Sequence, residues 1–236
     1  ASVVQKIGLW AAGHQSRYVA ICNVHIVTLA SRKPEFRQVI NQADMATPDG
    51  APVAWMLRKL GFEGQQRVSG PDLTLALCAH CGASGLPVYF YGSAPEVLER
   101  MRGNLSRLFP SLVTHFESPP FRPLSVEEDE QAVARINASG AGIVFVGLGC
   151  PKQEQWMAAH RGRVNAVMIG VGAAFDFHAG TVKRAPLWMR EHGLEWLHRL
   201  GAEPRRLWKR YLVTNTLFIV GAAAQLWRMK ILGKSQ

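Results

Sequence analysis

The chain has 236 residues, 27 basic against 17 acidic, with a formal charge of +10 and a pI near 9.9. Apolar residues make up 48% and charged residues 19%, with 22 Gly, 13 Pro and four Cys; this excludes disordered, collagen-like and disulfide-scaffold classes, and the length suits a domain with a sizeable core. No apolar run reaches ~18 residues, which excludes a polytopic membrane protein, and the first residues lack the basic-then-apolar pattern of a signal peptide.

In chain order, YVAICNVHIV (Tyr18 to Val27) reads as a buried strand with an exit at Asn23. Helical patterns follow over Pro34 to Asn41 and Gly50 to Leu60, with TPDG (Thr47 to Gly50) at a strand-to-helix switch between them. The next helical pattern, Pro71 to Cys81, carries a C-x-x-C pair, Cys78 and Cys81, at its late end. Zinc would need a second ligand pair and a redox motif would begin its helix, so these read as buried, reduced thiols of a cytosolic chain. VYFYGS (Val88 to Ser93), IVFVGLG (Ile143 to Gly149) and VMIGVG (Val167 to Gly172) are short apolar runs ending in glycine, as in strands buried on both faces. Helical patterns over Pro95 to Leu108, Val126 to Ala138 and Pro151 to His160 alternate with them, and the Pro-rich loop Ser118 to Pro123 reads as a connection within one domain. The alternation predicts an α/β fold, a Rossmann-like, mainly parallel sheet with helices on both faces.

Ligands of open α/β sheets bind at the carboxyl ends of the strands. That nominates Asn23, Asp49, Gly92 and Ser93, then Gly147, Gly149, Pro151, Lys152 and Gln153, and finally Gly170, Gly172 and Asp176. GLGCPKQ (Gly147 to Gln153) follows a strand and opens a helix with Pro151 near its first position. Free N–H groups and the helix dipole there favour a phosphate or diphosphate; a simple tight turn is the alternative. It is not a dinucleotide fingerprint, because Lys152 holds the sixth position and no acidic residue closes the next strand. Asp49 reads either as a turn and capping residue or as a catalytic carboxylate. None of the five aspartates forms D-x-D, and the eight histidines lack H-x-x-x-H spacing, so no metal site is expected.

The charge is concentrated at one end. Residues 183–236 hold 11 basic and 3 acidic side chains, whereas residues 1–182 hold 16 and 14. Arg205, Arg206, Lys209 and Arg210 precede seventeen uncharged residues, Tyr211 to Trp227, and Arg228 and Lys230 follow. A basic cluster followed by an apolar, Trp-bounded stretch suits an anionic membrane surface rather than nucleic acid. As a helix the stretch would be ~25 Å long, short of the ~30 Å hydrocarbon core. It reads as lying on or dipping into the membrane, or else as a docking helix covered by the body. The division expected is an α/β catalytic domain over 1–194 and a membrane-associating helical appendage over 195–236.

These segments, in order and spacing, resemble the bacterial WecG/TagA/CpsF family of glycosyltransferases. The matching stretches are CNVHIVTLASRKPEFRQVINQADMATPDGAPVAW, RVSGPDL, VYFYGS, VFVGLGCPKQEQWM, GVGAAFDFHAGTVKRAP and GLEWLHRLGAEPRRLWKRYL, from about residue 20 to 215. The resemblance implies an inverting enzyme, without metal or other cofactor, that moves a sugar from a UDP-sugar to a sugar on a membrane polyprenyl diphosphate. It implies a peripheral enzyme on the cytoplasmic face of the plasma membrane, in cell-surface polysaccharide or teichoic acid synthesis, with no nucleic-acid partner. By position, Asp49 matches the family's proposed general base, Asn23 an active-site Asn, and Arg67 and Gln153 polar pocket residues. The basic tail, with Arg205, Arg206 and Arg210, matches an appendage thought to bring arginines over the active site. Asn23 follows Ile21 and Cys22, so the Thr of the family's usual T-P-N motif is absent. The family's first strand has no clear match before residue 10, so a trimmed chain is expected.

The chemistry fits those roles. An inverting transfer needs one carboxylate to take the acceptor's proton and positive charge to stabilise the departing diphosphate. The sequence alone leaves open a nucleotide-binding regulator or hydrolase, and a basic adaptor without chemistry.

Overall fold

In the computed structural model, residues 2–232 are described. In chain order the elements are α1 (Val3–Ala12), β1 (Arg17–Cys22), α2 (Val24–Arg32), α3 (Pro34–Asn41), β2 (Met45–Pro48), α4 (Ala51–Lys59), α5 (Gly70–Ser84), β3 (Val88–Gly92) and α6 (Pro95–Leu108). There follow β4 (Thr114–Glu117), α7 (Val126–Ala138), β5 (Ile143–Gly147), α8 (Lys152–His160), β6 (Val167–Gly170), α9 (Ala174–Ala179), α10 (Leu187–Glu191), α11 (Glu195–Ala202) and α12 (Pro204–Leu232). The six strands form one parallel sheet in the order β2-β1-β6-β5-β3-β4. The α/β, Rossmann-like class read from the alternation is the observed one.

The strand expected in the Tyr18 to Val27 run leaves at Asn23, as read: β1 ends at Cys22. One part of the reading is corrected, because Val24 to Val27 belong to α2, into which the chain turns directly. The cause is local. Asn23 adopts an extended backbone and its side-chain oxygen accepts from the Ile26 N–H at 3.1 Å, capping the new helix.

The chain divides into two compact units. The first comprises the chain up to Ile21, Val39–Ala46 and Ser69–Lys183; the second comprises Cys22–Gln38, Thr47–Val68 and the chain from Arg184 on. The Ser118 to Pro123 loop lies inside the first unit, as a connection between β4 and α7.

In the first unit the central strands β3, β5 and β6 are buried on both faces, and their side chains sort alternately. Tyr89, Tyr91, Val144, Val146 and Met168 pack with Ala132 and Ile136 of α7 and Met157 of α8. On the other face Phe90 stacks on Phe116 and Phe145 and meets the Phe175 ring of α9 edge-on. Helix α6 is tied to that second face, where Asn104 donates to the His178 carbonyl at 2.9 Å. The crossover after β3 thus lies on one side and the crossover after β5 on the other. Two neighbouring strands whose chains leave to opposite faces open a crevice at their carboxyl ends. Cys78 and Cys81 are fully buried free thiols of α5, and burial pushes both up to about 12.

In the second unit α12 packs on α2. Leu207 is fully enclosed, Thr214 is buried, and the Thr28 hydroxyl donates to the Thr214 carbonyl at 3.3 Å.

Candidate functional site

The candidate residues fall into two groups, one in each unit. In the first unit the crevice sits where β3 and β5 end. Gly92 and Gly147 face each other so closely that a Cβ on Gly92 would lie 2.6 Å from the Gly147 carbonyl carbon, and one on Gly147 would strike the Phe175 ring at 2.9 Å. Glycine at these two positions lets the strand ends approach backbone to backbone and leaves room for the Phe175 ring. Ser93 follows with positive φ (67°), and its carbonyl accepts from the Ser118 hydroxyl at 2.7 Å.

The Gly147 to Gln153 turn leads into α8. Gly149 has φ +77° and Pro151 follows a cis peptide at the N-cap, one position earlier than the first helical residue. The N–H groups of this helix start are partly engaged: the Gln153 N–H donates to the Gly149 carbonyl at 2.9 Å and the Gln155 N–H to the Pro151 carbonyl at 3.1 Å. Lys152 is exposed, whereas Gln153 and Glu154 are buried. The Gln153 amide nitrogen donates to Glu154 Oε1 at 2.8 Å. Space for that amide comes from β6 and the turn after it, because a Cβ on Gly170 or Gly172 would approach it to 3.0 or 3.4 Å. Burial raises the Glu154 carboxyl above its ordinary value. Sequence alone does not reveal the burial of Glu154, because a charged residue in a polar helix turn gives no sign that it is enclosed. Asp176 lies in the first turn of α9, and its carbonyl receives the Thr181 N–H and hydroxyl, closing the turn behind that helix.

In the second unit Asn23, Asp49 and Arg67 are drawn together by backbone pairing. The Asp49 N–H donates to the Cys22 carbonyl at 2.9 Å, next to Asn23, and the Val68 N–H donates to the Pro48 carbonyl at 2.8 Å, next to Arg67. Arg67 Nε lies 3.3 Å from Asp49 Oδ1. Its Nη1 donates to the Arg190 carbonyl at 3.2 Å, and its Nη2 pairs with Glu195 Oε2. The Asp49 side chain is 25% exposed. Burial pushes its carboxyl above the ordinary value, opposed by the Arg67 charge and hydrogen bond and by the Gly50 N–H, and reinforced by the negative charge of Glu195. The result is a carboxylate with raised proton affinity beside an arginine held on three sides.

The tail residues are distributed along α12. Arg205 is exposed, and the Arg206 side chain lies outside the described residues. Arg210 sits over the Tyr211 ring at 5.5 Å. Burial and the Arg210 charge lower the affinity of His25, on α2, for a proton. Glu195 lies in the GLEWLHRLGAEPRRLWKRYL stretch with no catalytic motif around it. Its sequence signal was its rarity, as one of three acidic residues among the 14 charged positions of residues 183–236. Among the described residues no group of three or more His, Cys, Asp or Glu side chains is placed to hold a metal, and no helix is long and apolar enough to cross a membrane.

Against this geometry, the family model of the glycosyl transferase WecG/TagA/CpsF family matches residues 1–231, essentially the whole chain.

Proposed function

We propose that this chain, which belongs to the WecG/TagA/CpsF family of glycosyltransferases, transfers a hexose or N-acetylhexosamine-type sugar from a UDP-sugar to a sugar on a polyprenyl diphosphate, with inversion. The observation that carries the mechanistic part is Asp49, a carboxylate whose proton affinity is raised by burial beside a restrained arginine. A general base works best when its pKa approaches the working pH. In this reading Asp49 takes the proton of the acceptor hydroxyl as that oxygen attacks the anomeric carbon, and the sugar–diphosphate bond breaks on the opposite side. Negative charge then develops on the departing UDP. Arg67, Arg205, Arg206 and Arg210 supply compensating charge, which does the work a metal would otherwise do. Asn23 contributes to substrate binding from the α2 cap. The nucleotide part of the donor is assigned to the crevice edge: Gly92, Ser93, Gly147, Gly149, Pro151, Lys152, Gln153, Gly170, Gly172 and Asp176.

The acceptor's lipid suits the rest of the chain. Helix α12 exposes Trp208, Leu212, Val213, Ile219, Val220 and Trp227, with exposed cations at Arg205, Lys209, Arg228 and Lys230. An apolar face framed by cations is what an anionic membrane surface attracts. We therefore assign residues 195–236 to membrane association and residues 1–194 to the catalytic body, peripheral on the cytoplasmic face. The test is a panel of UDP-sugars offered with a short-chain prenyl-diphosphate-sugar acceptor. Transfer of one sugar, with UDP released only when the acceptor is present, is expected. UDP release independent of the acceptor would replace this reading with a hydrolase or a nucleotide-binding regulator.

A further inference from the structure

Glu195 stands at the centre of the Asp49 cluster without a part in the transfer. It lies in the first turn of α11 with its side chain only 13% exposed. Its carboxylate is divided between two arginines: Oε2 pairs with Arg67 Nη2, and Oε1 lies 3.6 Å from Arg184 Nε. Arg67 is divided in turn. One nitrogen goes to Glu195, one to the Arg190 carbonyl at 3.2 Å, and only Nε, at 3.3 Å, faces Asp49. An arginine meeting a carboxylate without competition closes a two-pronged pair at ~2.7–2.9 Å. At Asp49 that closure has not happened.

We propose that Glu195 is a positioning residue that acts through Arg67: by holding one end of the guanidinium it prevents Arg67 from closing a two-pronged pair on Asp49 and leaves that carboxylate available to an incoming hydroxyl. The inference rests on Asp49 being the general base. Its physical content is a competition. The groups that face Asp49 are the Arg67 guanidinium, the Gly50 N–H and the Glu195 carboxylate; Arg184 reaches the cluster through Glu195, and Arg190 offers its main-chain carbonyl to Arg67. Removing the charge of Glu195 acts twice in one direction. It releases Arg67 toward Asp49, and it takes away a neighbouring negative charge. Both changes favour the ionised form of Asp49 and make it a weaker base. An opposite charge brought within ~4–6 Å lowers a carboxylate by ~1–3 pH units, and Arg67 is already in partial contact, so a change of about one pH unit is expected.

The experiment compares wild type, Glu195→Gln and Glu195→Asp in the full chain. Glutamine keeps an oxygen for Arg67 and loses the charge; aspartate keeps the charge on a shorter arm. Two readouts are taken: the titration of the Asp49 carboxyl by carbon NMR, assigned by its absence in Asp49→Asn, and the pH profile of kcat/KM. In Glu195→Gln the Asp49 titration and the acid limb of the profile should both move down by about one pH unit, with Glu195→Asp lying between it and wild type. An Asp49 titration unmoved in Glu195→Gln, with Asp49→Asn inactive, overturns the inference and leaves the base in place. A titration that moves while the acid limb stays, or an active Asp49→Asn, removes Asp49 as the base instead. If the Gln variant fails to fold, Glu195→Asp carries the same comparison, and an Asp49 titration identical to wild type in that variant overturns the inference.

Discussion

Asp49→Asn separates chemistry from architecture with little structural ambiguity. Asparagine has the shape of aspartate and keeps an oxygen where Oδ1 accepts from Arg67 Nε at 3.3 Å. Arg67 also keeps Glu195 and the Arg190 carbonyl, so its guanidinium is not stranded. The Asp49 N–H to Cys22 carbonyl bond is main chain and is untouched. What is lost is the capacity to take a proton. A positioned base contributes about 10²–10⁴ in rate, or about 2.7–5.4 kcal/mol of barrier, so turnover should fall by that factor while donor KM changes little, because the lost interaction belongs to the transition state. Stability should move the other way. Burial holds the folded-state pKa of Asp49 above its ordinary value of 3.8, so its contribution to stability is fully present below pH ~3.8 and is lost as pH rises through the raised value. At neutral pH the wild-type protein carries that cost, and Asp49→Asn should melt no lower than wild type. The wild-type kcat/KM should fall on the acid side with a midpoint above 3.8, and the residual rate of the variant should be flat across that limb. The assay is acceptor-dependent UDP release from pH 4 to 9, with thermal melts of both proteins. Turnover of the variant within about tenfold of wild type would refute the assignment.

Other outcomes are expected. Transfer should survive EDTA, because the chain has no D-x-D pair and the proposed mechanism assigns the diphosphate's charge to arginines rather than to a metal; loss of activity restored by added Mn²⁺ or Mg²⁺ would show otherwise. Gly92→Ala should destabilise the first unit by about 3 kcal/mol in denaturant melts, since φ is +123° and the new Cβ would lie 2.6 Å from the Gly147 backbone. Gly103→Ala, in α6 with open space around it, should instead stabilise by up to about 1 kcal/mol. Binding to anionic vesicles should weaken at high salt without vanishing, because four exposed cations of α12 contribute ~1 kcal/mol each and are screened, whereas its apolar face is not; Ile219→Glu with Trp227→Glu should remove the salt-resistant part, and equal binding to neutral vesicles would exclude the electrostatic part.

Much of the sheet was written locally. The runs that became β3, β5 and β6 are apolar on every residue because helices cover both faces, and the glycines that close them lie where backbone approaches backbone. The burial of Cys78 and Cys81 and the concentration of cations beyond residue 183 were likewise legible, since helical phase and charge are properties of neighbouring residues. The helix that begins at Val24 was not, because an apolar run has no period that separates strand from buried helix and one capping bond at Asn23 decides between them. β4, with four half-buried residues at the sheet edge, offers no alternation to detect. The strand order that opens the β3–β5 crevice depends on which face each crossover takes. The same holds for the Asp49 cluster. Arg67 reaches Asp49 across 18 residues and Glu195 across 128, and an ion pair between side chains so far apart in sequence exists only after the chain has closed, when burial makes their mutual charge count.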